Sequence, residues 1–98
     1  MSAAASATIG FDDVPVLASR FRLQWEPAQQ AHVLLYPEGM VKLSNSAAEI
    51  VKRIDGAAPI GAIVADLESA FPGADLRSDV MEFLEIARER GWIGIETR

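Results

Sequence analysis

The chain has 98 residues, half of them hydrophobic, and 9 Lys and Arg against 14 Asp and Glu give it a net charge of −5. That length supports one compact core. With no Cys, one His (His32) and one Tyr (Tyr36), it excludes a thiol nucleophile, a disulfide scaffold, a Cys-based zinc site and an iron–sulfur cluster.

The first ten residues are small and polar with almost no bulky side chains, so residues 1–13 read as a disordered tail ahead of a single domain over 14–98. No Lys or Arg precedes Arg20, and Ala and Ser cannot supply the apolar stretch of a secretory signal. Nor does any apolar run approach a membrane span. The expected location is the cytoplasm, with no membrane partner.

From Phe21 the apolar residues alternate. Phe21, Leu23 and Trp25 interleave with Arg22, Gln24 and Glu26, the pattern of a half-buried strand, with Trp25 expected in the core. Pro27 to Ala31 is a loop, and His32 to Tyr36 is a second strand. Pro37-Glu38-Gly39 is a turn, after which Met40 to Leu43 forms a short third strand. Connections this tight make an antiparallel meander.

The period then changes to that of helices. Ser46 with Glu49 three residues on is a capping-box pattern, followed by Ala47, Ile50, Val51 and Ile54 on one face and Asp55-Gly56 as the stop. Pro59 suits the first turn of a second helix, whose apolar stripe is Ile60, Ile63, Val64, Leu67 and Phe71. Asp75 or Ser78 can cap a third helix with the stripe Leu76, Val80, Phe83, Leu84 and Ala87. Gly91 falls at its C′ position, and Trp92 to Ile95 returns as a short extended segment. The fold class is α+β and winged-helix-like: a three-stranded antiparallel sheet followed by three helices.

The chemistry-bearing residues do not converge. His32 stands without a ligand cluster, Asp12-Asp13 lies beside the tail, and the serines gather where helix caps explain them. No Gly-x-Ser-x-Gly elbow or phosphate loop is present. The expectation is a protein that is no enzyme, with no catalytic residue, metal or cofactor. The third helix offers Arg77, Arg88 and Arg90 against Asp75, Asp79, Glu82, Glu85 and Glu89. A recognition helix needs cations and amides toward the duplex, so no nucleic acid is expected. What remains is a sheet edge, which can accept an extended peptide as an added strand.

The stretch Val14 to Glu26, with its Arg-Phe-Arg-Leu-x-Trp, resembles the opening of the PqqD family of pyrroloquinoline quinone biosynthesis. The resemblance continues through Val33 to Glu38 (Leu-x-Pro-Glu), Leu43 to Ile50, Asp55-Gly56, Ser78 to Leu84 and Arg90 to Ile93. Gly39-Met-Val-Lys departs from it, lacking the more basic and aliphatic strand start expected there. The resemblance implies a peptide chaperone, a recognition element for ribosomally made and modified peptides. It would bind the precursor peptide PqqA and present it to the radical SAM enzyme PqqE, which cross-links a Glu and a Tyr of the peptide. The guest would add to the third strand and pack on the third helix. Mapped here, Met40, Val41, Lys42 and Leu43 would line the groove, with Asp79, Glu82, Phe83 and Ile86 opposite. The alternative is an acidic winged-helix protein acting as a regulator, or a homodimer that pairs through the same edge.

Overall fold

The computed structural model describes residues 9–96. Its elements run β1 (Val14–Leu17), β2 (Arg22–Glu26), β3 (Ala31–Tyr36), β4 (Gly39–Lys42), α1 (Asn45–Val51), α2 (Ile60–Ala70), α3 (Arg77–Glu89) and β5 (Ile93–Glu96). The expected meander is present as the antiparallel sheet β2-β3-β4. Three helices follow it, so the α+β reading holds.

A second, two-stranded sheet lies outside the sequence reading. β1 pairs antiparallel with β5, from Val14 opposite Glu96 to Leu17 opposite Ile93. The ladder is prolonged where Ala18 N–H donates to the Trp92 carbonyl at 2.9 Å. The two ends of the domain are thus joined, and the extended segment expected at Trp92 to Ile95 finds its partner.

The tail expected over 1–13 divides. Residues 1–8 lie outside the described residues, whereas Ile9 is a core side chain only 2% exposed. It packs with Ile60, Ile63, Leu84 and Ile93 in the larger apolar cluster. Its own N–H donates to Glu85 Oε2 at 3.2 Å.

Helix α1 begins earlier than the capping-box reading has it. Ser44 is the N-cap, and its hydroxyl accepts from Ala47 N–H at 3.1 Å, so Asn45 and Ser46 stand inside the first turn. Helix α2 has Pro59 at its N-cap and no side-chain cap. It buries Ile60, Ile63, Val64 and Leu67, a stripe that stabilises the fold by roughly 1.5–3 kcal/mol per side chain. Helix α3 buries Val80, Leu84 and Ala87. It ends as expected at Gly91 (φ +79°): Trp92 N–H reaches the Ala87 carbonyl and Gly91 N–H that of Arg88. That paired Schellman closure needs a left-handed residue, which glycine adopts without strain. Phe83 and Trp92, with ring centroids 6.3 Å apart, pack against both apolar clusters and join the helical layer to the sheet.

Asp55 organises the approach to α2. One carboxylate oxygen accepts from Ala57 and Ala58 N–H at 2.9 and 2.8 Å. The Ala58 and Ala57 bonds hold its pKa below the ordinary carboxylate value. A depressed folded pKa contributes stability that is present above the unfolded value near pH ~4 and lost as the pH falls through the folded one. Thermal melts of Asp55→Asn should therefore lose less of their midpoint between roughly pH 5 and pH 3 than wild type does; equal losses would show that the turn does not titrate.

Candidate functional site

The two-residue turn Pro37-Glu38 sets Tyr36 opposite Gly39 and fixes the β3/β4 register. Arg20 holds this turn in place. Its guanidinium meets Glu38 at 2.6 Å and lies over the rings of Phe21 and Tyr36, which are tilted against each other with centroids 5.2 Å apart. Arg20 of the Arg-Phe-Arg-Leu-x-Trp motif thus pairs with the turn at the sheet's exposed end, with more than half of its side chain in solvent. Trp25, expected in the core, is 49% exposed. It stands at the far end of β2 with its edge on His32, where no helix packs extensively on the strand.

β4 is the last strand of its sheet, and no helix packs extensively on it either. The direction of its backbone groups follows from the register. Leu43 N–H donates to the His32 carbonyl at 3.0 Å, so Leu43 and His32 form a bonded pair. Bonded and non-bonded pairs alternate along an antiparallel ladder. Val41 and Gly39 thus also bond inward to β3, while Met40 and Lys42 aim their N–H and C=O at the open side. Their side chains are exposed, Met40 by 45%. Val41 and Leu43 turn the other way, toward Leu34, Ala48 and Val51, and Leu43 is fully core. The four strand residues singled out from the sequence thus split into two edge residues and two that anchor the strand.

On α3, Asp79, Glu82, Phe83 and Ile86 are spaced i, i+3, i+4 and i+7 and form one stripe, flanking the buried Val80, Leu84 and Ala87. Phe83 is half-buried, Ile86 is 39% exposed, and Asp79 and Glu82 are exposed. Two of the four, Asp79 and Phe83, line an open cavity of about 720 Å³. Its walls are Ser44 to Ala47, Glu49 and Ile50 from the start of α1, Leu67 and Phe71 from the end of α2, and Leu76 and Val80 on α3. Glu82 and Ile86 lie outside it. Sequence reading missed Phe71 and Leu76 as wall residues. Both fall in the apolar stripes of their helices, yet Phe71 ends α2 with its side chain 46% exposed.

The charges at this mouth are unequal in their commitments. Glu49 is held by Arg53 at 2.9 Å and Lys52 at 3.1 Å, and those bonds, Arg53 first, lower its pKa. Arg53 also reaches Asp66 at 2.6 Å. Among the described residues no ion pair involves Asp79 or Glu82, no three His, Asp or Glu side chains converge to hold a metal, and no helix is long and apolar enough to cross a membrane. The arrangement suits binding by backbone and apolar contact, not bond-making chemistry.

Comparison with known proteins agrees with this geometry. The family model described as coenzyme PQQ synthesis protein D (PqqD) matches residues 31–93. A PqqA binding protein of Azotobacter vinelandii is 60% identical over 83 residues, which are 84% of this chain and 90% of that one. The PqqA binding protein of Stutzerimonas stutzeri is 52% identical over 86 residues, 87% of this chain and 94% of its own. In fold, the chain is similar to the solution structure of the PqqD truncation of Methylobacterium extorquens PqqCD, a stand-alone recognition element for ribosomally synthesised, modified peptides. The TM-score is 0.76 at 23% identity, covering 90% of this chain and 96% of that one.

Proposed function

The chain belongs to the PqqD family, and from that premise we propose that it binds the precursor peptide PqqA by strand addition at β4 and presents it, in the cytoplasm, to the radical SAM enzyme PqqE. The observation that carries this reading is the open edge at Met40 and Lys42, with an apolar cavity beginning one residue past the strand's anchor at Leu43. Main-chain bonds along such an edge supply affinity, and pockets for alternate side chains supply selectivity. Nothing in the site asks the chain to do chemistry. Its task is to hold an otherwise flexible peptide extended, which lowers the ordering cost the enzyme faces on binding it.

Amide spectra of the labelled protein titrated with synthetic PqqA test the reading. Shifts should concentrate on Gly39 to Leu43 and on the Asp79–Ile86 face of α3. Binding whose shifts fall instead on β1 and β5 would place the guest on another surface and reject strand addition at β4.

A further inference from the structure

The sheet has a second open edge, and that edge is complementary to itself. β2 is the terminal strand opposite β4, and no helix packs extensively on it. His32 and Leu34 bond toward β4, so Ala31, Val33 and Leu35 bond the other way, toward β2. Their partners Glu26, Gln24 and Arg22 therefore point their backbone groups inward. Leu23 and Trp25 are left with N–H and C=O facing out. The free stretch is bounded evenly about Gln24. Three residues before it, the Phe21 N–H is already given to the Ala18 carbonyl. Three residues after it, Pro27 has no N–H, and its carbonyl accepts from Gln30.

We propose that this edge binds the β2 edge of a second copy of the chain, antiparallel about a two-fold axis at Gln24. In that register Leu23 lies opposite Trp25 of the second copy and exchanges both backbone bonds with it, and the symmetric pair does the same. The ladder stops where neither strand has a donor to lose. Charge fits the same register. Arg22 falls opposite Glu26 of the second copy at a non-bonded pair, where side chains stand closest; parallel pairing would instead set Arg22 against Arg22. Within one copy each of these charges faces an apolar residue across the ladder, Leu35 and Ala31. Among the described residues no ion pair involves either. Trp25, 49% exposed, would cover the half-buried Leu23 of the second copy and remove apolar surface from water on both sides of the axis. The two three-stranded sheets would become one, with a β4 edge free at each end, so pairing and peptide binding do not compete. A contact this short belongs with the small, transient interfaces, and the association should be weak and concentration-dependent.

Sedimentation equilibrium of the full chain, from low micromolar to near-millimolar protein, should show the mean mass rising from one copy toward two. Arg22→Glu and Glu26→Arg each set like charges opposite one another on both sides of the axis. Each should weaken self-association about tenfold or more, in chains that circular dichroism shows to be folded. Mixed together, the two variants are complementary and should associate about as well as wild type, and the double variant Arg22→Glu/Glu26→Arg should do so alone. Lys42→Pro and excess synthetic PqqA should leave the dimer intact. A chain that stays monomeric throughout overturns the proposal. So does a dimer that ignores both charge reversals, that mixing the variants does not rebuild, or that Lys42→Pro or PqqA dissolves, which would place the contact at β4.

Discussion

Lys42→Pro is expected to abolish precursor-peptide binding while the domain stays folded. The Lys42 N–H points away from β3 by the register that pairs Leu43 with His32, so proline there removes no bond of the native sheet. Proline is tolerated on edge strands for that reason, and the preceding Val41 is already extended, as a residue before proline must be. What is lost is the donor that a guest carbonyl would use. An acceptor stranded at a closed interface costs about 1–3 kcal/mol, roughly 5- to 150-fold in Kd. The ring also occupies the side from which the guest backbone must approach, so the total should exceed a hundredfold by this reasoning. Two companions isolate the cause. Lys42→Ala changes only an outward side chain and should bind within a few-fold of wild type. Val41→Pro instead breaks a bond to β3 and should lower the melting temperature before affinity can be compared. Titration of each variant with synthetic PqqA, alongside circular dichroism to check the fold, reads all three. A folded Lys42→Pro that binds as wild type does would mean the guest is held elsewhere.

That test could be aimed only with the register in hand. Period-two alternation from Phe21 to Leu43 announces the meander, and the Pro37-Glu38 turn announces its last hairpin. Neither says which residues of β4 bond inward, because a one-residue slip would exchange Met40 and Lys42 with Val41 and Leu43. The α3 stripe was legible for a similar reason: 3.6-residue spacing is local information. The cavity was not. Its walls come from the start of α1, the end of α2 and the flank of α3, three segments whose convergence depends on packing angles that no local pattern encodes. β1 was hidden twice over. Pro15 argues against a strand when read alone, and its partner Ile95 lies at the other end of the chain. The spacing to Glu49 points to Ser46 as the cap, whereas it is the Ser44 hydroxyl that reaches the Ala47 N–H, a difference of backbone placement that the capping-box pattern does not carry.

Ile9→Ala should destabilise the domain by about 2–5 kcal/mol, the range for truncating a buried isoleucine. Composition gives no hint of this, because Ile9 follows a run of Ala, Ser and Thr that favours a solvated tail. The reason lies in α2. That helix starts at Pro59 with no side-chain cap, so its first N–H groups need other acceptors. The Asp13 carbonyl accepts from Ile60 N–H and the Phe11 carbonyl from Gly61 N–H, each at 2.9 Å. The segment is held in that pose by its own turn, in which Gly10 N–H donates to Asp13 Oδ2 at 2.9 Å and Asp13 N–H to the Gly10 carbonyl at 3.1 Å. Ile9, sunk among Ile60, Ile63 and Leu84, is the apolar anchor that keeps the strap against the helix. Truncating it opens a cavity in the larger cluster and loosens the backbone cap together, so the cost should fall in the upper part of that range. For a domain of this size, with total stability of about 5–15 kcal/mol, the melting midpoint should drop by roughly 10 °C or more. Urea denaturation should show a lower midpoint with an unchanged slope. PqqA affinity measured well below the melting temperature should be unaltered, since the strap's hydrogen bonds to the rest of the domain run to the start of α2 and to Glu85 on α3, away from the β4 edge. A variant within about 0.5 kcal/mol of wild type would return residues 9–13 to the tail and leave α2 to be capped by water.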